Sequence, residues 1–424
     1  MNQRIQSFLV LALIVAAPFE YIPTHDVGGF TLKISYLLGV ALIGTFLVTL
    51  LQNWKKVSMN SIAKLAKQES LLVVLFSVAL LSLAVSHLAL RSAVLTAMWG
   101  FVFLIHVLVF QVLKKDVVLR KKAFQLLLWV GILTSIFGIY QVVADGLGVG
   151  LQFTLLRQQY SHAALGFARA QSVALEPLYF ANFLFWPLFA AVGLQLEEKK
   201  VRALTGAMLF FGSTALMLGI ARGAYLAFVV AVAAVVVVLA WKKLLKGRGR
   251  LILEQAAIVF MSLVVGFMIV GVSSFENGAS LQSSFIEHAT VQSDSRVTVS
   301  VPTRLEAARL AMHQFTDSPL IGFGVGSFGL RTSSSDLSNG YGIVNNQYLE
   351  ILAELGLLGF VVYLLWVFGF LRSWLTTPRG SVLVLALGGA LVAHLVQELT
   401  FSTLYIMPFW VYLALWRAER SASS

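Results

Sequence analysis

The sequence predicts an all-α, polytopic membrane protein with about twelve transmembrane helices. Three observations predict it. Hydrophobic residues fill 58% of the 424 positions and charged residues only 12%. Apolar runs of roughly 18 residues or more recur along the chain, the length that crosses a hydrocarbon core about 30 Å thick. The basic residues, finally, bunch in alternate gaps between those runs, as they do when one side of a membrane collects positive charge.

The runs fall near 5–22, 31–51, 70–88, 92–113, 123–144, 178–196, 203–220, 223–241, 252–272, 347–371, 381–397 and 399–416. The pair 203–220 and 223–241 is divided only by Ala221-Arg222. The first run follows a single basic residue and leads into Pro18-Phe19-Glu20-Tyr21-Ile22-Pro23 without a small-residue cleavage pattern, so it reads as a retained span. With the N-terminus cytoplasmic, the cytoplasmic gaps hold 22 of the 31 Lys and Arg residues, in clusters such as Lys114, Lys115, Arg120, Lys121 and Lys122. Both termini are then cytoplasmic. The nine basic residues left on the other side are Lys33, Arg91, Arg157, Arg169, Arg222, Arg296, Arg304, Arg309 and Arg331. The net charge of +12 reads as anchoring to anionic lipid, with no nucleic-acid partner. The absence of cysteine removes disulfides, thiolate metal sites and cysteine nucleophiles together.

This divides the chain into an N-terminal bundle of five spans (1–144), an external loop (145–177), four spans (178–272), a large external loop (273–346) and three C-terminal spans (347–424). In the large loop, Ser273 to Ser300 carries little hydrophobic periodicity and is expected to be mobile. Pro302-Thr303-Arg304-Leu305-Glu306 predicts a helix start, with Thr303 and Glu306 as a capping box. Leu305, Ala308, Met312 and Phe315 predict its packed stripe, and Asp317-Ser318-Pro319 its end. The glycine run that follows contains Gly324-x-Gly326-x-x-Gly329, a formal dinucleotide fingerprint. It lacks a preceding strand and lies outside the cell, so a tight turn at the membrane surface is expected instead.

The external arginines carry the functional signal. Arg222 sits between two apolar runs, where an unpaired charge costs roughly 2.5–3.5 kcal/mol on insertion scales. Arg304 lies in a first helical turn, where a cation opposes the dipole. With Arg169, in F-A-R-A-Q-S-V-A-L-E-P, they form a candidate anion cradle, because a guanidinium fork matches phosphate oxygens. Glu176 is a candidate base; Glu176-Pro177 is equally an ordinary helix start. His394 and Glu398, four residues apart, read as a structural pair or a polar element of the site. No metal-ligand spacing appears and no cofactor is expected.

The order of four motifs resembles the O-antigen ligase and O-antigen polymerase superfamily. They are R-x-x-x-x-x-x-E-P-x-x-F-A-N-F-L at 169–184, A-R-G at 221–223, R-L-x-A-A-R-L-A-M-x-x-F-x-D-S-P-L-I-G-F-G-V-G-S-F at 304–328 and N-N-Q-Y-L-E-I-L-A-E-L-G-L-L-G-F at 345–360. The resemblance covers about half the chain, roughly 160–372. It implies a metal-independent GT-C type glycosyltransferase of the bacterial inner membrane. Such an enzyme moves saccharide from an undecaprenyl-diphosphate carrier on the periplasmic face, in contact with membrane lipids and other assembly proteins such as a chain-length regulator or flippase. Arg169, Arg222 and Arg304 would grip the diphosphate; Asn345, Asn346 and Tyr348 would lie on the acceptor side. Family ligases carry histidine before the asparagine of H-N-x-Y-L, where this chain has Asn345. Asparagine can orient a hydroxyl but cannot take its proton at neutral pH. That departure shifts the expected activity toward polymerisation of repeat units, with the lipid A-core ligase as the alternative. A secondary transporter is the rival from another class; it would show ionisable residues at midspan, and these spans are nearly free of them apart from His106.

Overall fold

A computed structural model describes residues 2–21, 24–27, 30–53, 67–275, 302–328 and 344–423. Expectations that rest on Lys55, Lys56, Lys64, 276–300, Arg296, Gly329 and Arg331 lie outside the described residues. Every predicted apolar run holds a helix: α1 Asn2–Ala16, α2 Ile34–Gln52, α3 Ser70–Ser82, α4 Ala89–Lys115 and α5 Val117–Gly146 precede the segment 147–176. That segment holds two single-turn helices, α6 Leu151–Thr154 and α7 His162–Leu165. Then come α8 Pro177–Glu198, α9 Ala203–Leu218, α10 Arg222–Trp241, α11 Gly249–Phe275, the loop helix α12 Pro302–Asp317, α13 Gln347–Leu375, α14 Val382–Gln397 and α15 Met407–Ser423. Thr24–Val27 and Phe30–Lys33 pair as an antiparallel hairpin, β1 and β2, the only strands among the described residues.

Seven of these helices (α2, α4, α5, α8, α10, α11 and α13) are long and apolar enough to cross a membrane by length and composition. The shorter apolar ones, such as α9 with 16 residues, rise about 24 Å at 1.5 Å per residue. The last run starts later than its hydropathy suggests. Helix α15 begins at Met407, and residues 398–406 form an irregular loop, mostly buried apart from Leu399, instead of the first turns of a span.

In lipid, helices gain little from burying apolar side chains against one another; close packing of small residues does the work. Helix α14 has that character and is buried along nearly its whole length. A Cβ at Gly389 would lie 2.4 Å from Phe189 Cε1 on α8 and 2.6 Å from Val235 Cγ2 on α10. A Cβ at Gly193 on α8 would meet Leu383 at 2.8 Å. These glycines let α8, α10 and α14 close on each other and form the centre, while α2 and α11 stay largely exposed at the edge.

The opposite ends of the bundle differ in chemistry. At one end, residues from the basic clusters pair: Arg417 with Glu69 at 2.7 Å and Arg120 with Glu419 at 3.0 Å. Arg417 also donates to His106 Nε2 at 2.6 Å, while His106 Nδ1 lies 2.9 Å from the Trp410 carbonyl, so the one histidine expected inside a span is fully engaged. The other end carries the arginines left over by the charge count.

Candidate functional site

A buried glutamine organises the segment between α5 and α8. Gln141 on α5 donates to the carbonyls of Thr154 and Ser172, each at 3.1 Å, and accepts from Ser172 N at 2.7 Å. Ser172 sits at φ 54, a left-handed conformation that costs a non-glycine residue of order 1–2 kcal/mol. Its hydroxyl is spent on the Thr134 carbonyl at 2.7 Å. These bonds hold 154–172 against α5 and direct the next residues to the end of α9. Ala170 N donates to Leu218 O at 2.9 Å, and Arg169 N to Tyr160 O at 2.9 Å. The Arg169 guanidinium then donates to Gly219 O at 3.1 Å and lies 5.6 Å from the Tyr160 ring. Arg169 thus satisfies a carbonyl that the end of α9 leaves without a helical partner.

The break between α9 and α10 is sharp. Ile220 takes φ 43, an outlier for a β-branched side chain of the kind that gathers at functional sites. The turn sets Arg222 at the first position of α10, where the guanidinium and the positive end of the helix coincide. Gly223 follows because there is no room for more: a Cβ there would lie 2.4 Å from Thr400 Oγ1.

Around these elements the sequence-predicted residues converge. Glu176 precedes α8 in an extended conformation, and its side chain makes no cap. It lies instead within Coulombic reach of Arg157, Arg169 and Arg304 and within hydrogen-bonding reach of Tyr160. Burial pushes its carboxyl above the ordinary carboxylate range despite those cations. Burial weakens the hold of Arg169 and Arg304 on the proton, and Arg222 acts in the same direction on both. The Arg304 Nε is buried and has no hydrogen-bond partner. Three guanidiniums within reach of one acid, with Arg222 near two of them, leave an excess of positive charge and one buried donor, Arg304 Nε, without a partner, the complement of a polyanion.

The remaining candidates sit at the start of α13. Asn345 takes φ 53, which asparagine tolerates better than most residues. Asn346 caps the helix, accepting from Leu349 N at 3.1 Å, and donates to Leu399 O at 3.1 Å. Tyr348 donates to Leu395 O at 2.9 Å, and Gln347 accepts from Thr403 N and Leu404 N at 2.8 and 3.1 Å. The loop after α14 therefore links three helix starts. It meets Asn346 through Leu399, Gly223 through Thr400, and α8 through the Phe401–Tyr179 ring pair at 4.5 Å.

The glycine run serves a kink in α13. Gly356 leaves helical geometry at φ 62, and Leu357 N and Leu358 N donate to Pro319 O and Leu320 O at 2.8 and 3.1 Å. A Cβ at Gly322 would lie 2.2 Å from Glu354 O. The segment is a packed turn, as its lack of a strand implied.

Four expectations are corrected. Helix α12 begins at Pro302, proline's favoured first position, so Thr303 lies inside the first turn and cannot be the N-cap. Its packed stripe is Ala307, Leu310 and Ala311, with Gln314 buried beside them, whereas Leu305 and Met312 are exposed. His394 does not pair with Glu398: its ring nitrogens have no hydrogen-bond partner, and it stacks on Phe409 at 4.2 Å. Glu398 is bonded by Tyr363 and Thr403. Finally, the spans hold more interior acid than expected, since Glu350 and Glu354 are buried in the first turns of α13, bonded by Ser402 Oγ and Phe328 N. They lie at the arginine end of the helix, so the site stays one-sided.

Sequence reasoning underused Arg157, which joins the cluster and donates to Leu175 O at 3.1 Å; its place among the nine basic residues left outside the basic clusters was the available signal. Tyr160 and Glu20 carried none. Glu20 is buried below Val173, pairs with Lys33 at 3.8 Å and lies within reach of Glu176. No curated protein matches the chain. Residues 207–364 match the family model described as O-antigen ligase. That segment carries Arg222, Arg304, Asn345, Asn346 and Tyr348, and its match supports the resemblance to the O-antigen ligase and polymerase superfamily.

Proposed function

We propose that the protein is a saccharide polymerase of the bacterial inner membrane, acting on undecaprenyl-diphosphate-linked repeat units at the periplasmic face. The observation that carries this reading is the clustering of Arg157, Arg169 and Arg304 within reach of Glu176, with Arg222 in reach of Arg169 and Arg304, at one end of an apolar helical bundle. In this topology all twelve apolar helices cross the membrane, the basic clusters face the cytoplasm with both termini, and the arginine end faces outward.

The chemistry follows from the charges. A hydroxyl at the non-reducing end of one repeat unit attacks the anomeric carbon of another lipid-linked chain. The new bond forms from that oxygen, and the bond between the anomeric carbon and the phosphate oxygen breaks, leaving undecaprenyl diphosphate. Negative charge on the leaving diphosphate grows as its bond to carbon lengthens. Guanidiniums fixed before the reaction therefore stabilise the transition state more than the ground state. Glu176 takes the hydroxyl proton, and burial raises its affinity for that proton. Asn345 orients the acceptor. Asn346 and Tyr348, bonded to the loop after α14, hold the acceptor side in place.

The second reading is an O-antigen ligase that uses the same donor and a lipid A-core acceptor; the description of the matching family model favours it. Purified protein given only lipid-diphosphate repeat units decides between them. A polymerase makes products longer than one unit, read by mass spectrometry. Elongation that waits for added lipid A-core would replace the polymerase with the ligase.

A further inference from the structure

An apolar groove of about 910 Å³ runs between α9, α10 and α11. Leu216 and Met217 line it from α9, Val229 and Val232 from α10, Leu263 and Phe267 from α11. Gly266 sets its depth, because a Cβ there would lie 2.7 Å from Met217 Sδ and push α11 away from α9. Val229 and Phe267 are 63% and 66% exposed, so the groove opens at the edge of the bundle, where α11 itself is mostly uncovered.

One end of the groove runs into the cationic site. Tyr225 lines it one turn after Arg222 and lies within Coulombic reach of Arg169. Its hydroxyl is spent on the Met217 carbonyl, so the wall stays apolar up to the point where the guanidiniums begin. A surface with several cations at one end and a continuous apolar trough leading away fits a diphosphate esterified to one long hydrocarbon chain. A glycerophospholipid fits less well, since it offers a single phosphate charge to several guanidiniums. The volume is in the range that holds a drug-sized apolar ligand, enough for the leading units of the chain while the remainder stays in the bilayer.

We propose that this groove receives the first isoprene units of the polyprenyl diphosphate donor; the inference rests on the donor reading above and gives it a second subsite. The groove adds affinity for the lipid tail and aligns the diphosphate on Arg222. The test uses full-length protein in detergent and direct binding of two ligands, undecaprenyl diphosphate and inorganic diphosphate. Val232→Trp and Leu263→Trp each fill the groove from a different helix without touching an arginine. Either variant is expected to weaken undecaprenyl diphosphate at least tenfold and to leave inorganic diphosphate within twofold of wild type. Unchanged binding of the lipid in both variants would overturn the groove assignment and leave the donor reading intact. Failure of wild-type protein to bind either ligand would overturn both. In the wild-type protein, a polyprenyl diphosphate with a diazirine on its second isoprene unit should crosslink within 213–233 or 259–268. Crosslinks confined to other segments, or their loss to phosphatidylglycerol competition, would assign the groove to ordinary lipid and refute the proposal.

Discussion

Arg304 gives the sharpest test of the diphosphate cradle, because its energetic worth to the fold and to the ligand should separate. Its Nε is buried without a partner, and its nearest charge effects are repulsion from Arg222 and attraction to Glu176. Removing it therefore deletes no hydrogen bond at Nε and relieves a like-charge contact. Arg304→Ala and Arg304→Lys should both unfold, without ligand, within about 0.5 kcal/mol of wild type, the usual range for a change that breaks no structural contact. The ligand-bound state should behave otherwise. A preorganised donor to a developing anion is worth about 2.7–4 kcal/mol, or 10²–10³ in turnover. Arg304→Ala should lose about that much. Arg304→Lys should fall at the low end, keeping a point charge but not the fork. At a lipid diphosphate concentration 100-fold above Kd, wild type gains about 2.7 kcal/mol of stability by linkage. If the variant binds 100-fold more weakly, the same concentration yields only about 0.4 kcal/mol. Thermal unfolding in detergent, with and without undecaprenyl diphosphate, reads both quantities beside a glycan-ladder assay. Wild-type turnover in Arg304→Lys, or an apo Arg304→Ala several kcal/mol less stable than wild type, would refute the argument.

Three further outcomes follow from named geometry. Burial raises the Glu176 pKa above the ordinary 4.5, so the protonated side chain is the form the fold prefers and ionisation weighs against stability as pH rises through that value. If Glu176 is the base, kcat/KM should fall as pH drops through its raised pKa, and Glu176→Gln should abolish that acid limb; a limb unchanged in the glutamine variant would remove Glu176 from proton transfer. Gly389→Ala places a methyl 2.4 Å from Phe189, and overpacking of this kind costs about 1–3 kcal/mol; because it wedges apart α8, α10 and α14, activity should fall with stability, and a variant as stable as wild type would show that the centre can yield. Asn345 at φ 53 can be replaced by histidine, another residue tolerated in that region, but not by valine. Asn345→His should keep substantial activity, Asn345→Gly should keep the fold and lose rate modestly, and Asn345→Val should lose stability; equal stability in all three would show that the left-handed turn is not demanded.

What the sequence disclosed and what it withheld divide along a physical line. Helix positions were legible because a bilayer imposes length and hydropathy on every crossing segment, and the arginines were legible because charge among apolar runs needs a reason. Contacts that depend on which face of an element is buried were not. Leu305 and Met312 on α12 are apolar at helical spacing, yet the helix packs through Ala307 and Ala311, since small side chains allow the closer approach to Ala353 on α13. Hydropathy also concealed the loop at 398–406, where Leu399, Phe401, Leu404 and Ile406 mimic a span. Buried loops need their backbone groups satisfied, and here the partners come from far along the chain. Gln347 supplies the acceptor for Thr403 and Leu404, and Asn346 the donor for Leu399. The N-N-Q-Y motif thus has a structural duty that its sequence resemblance did not reveal: two of its side chains pin the loop that joins the starts of α8, α10 and α13. Asn345 sits in its left-handed turn just before them. A substitution at Asn346 or Gln347 should therefore cost stability and activity together, and a variant of either as stable as wild type would show that the loop does not need these bonds.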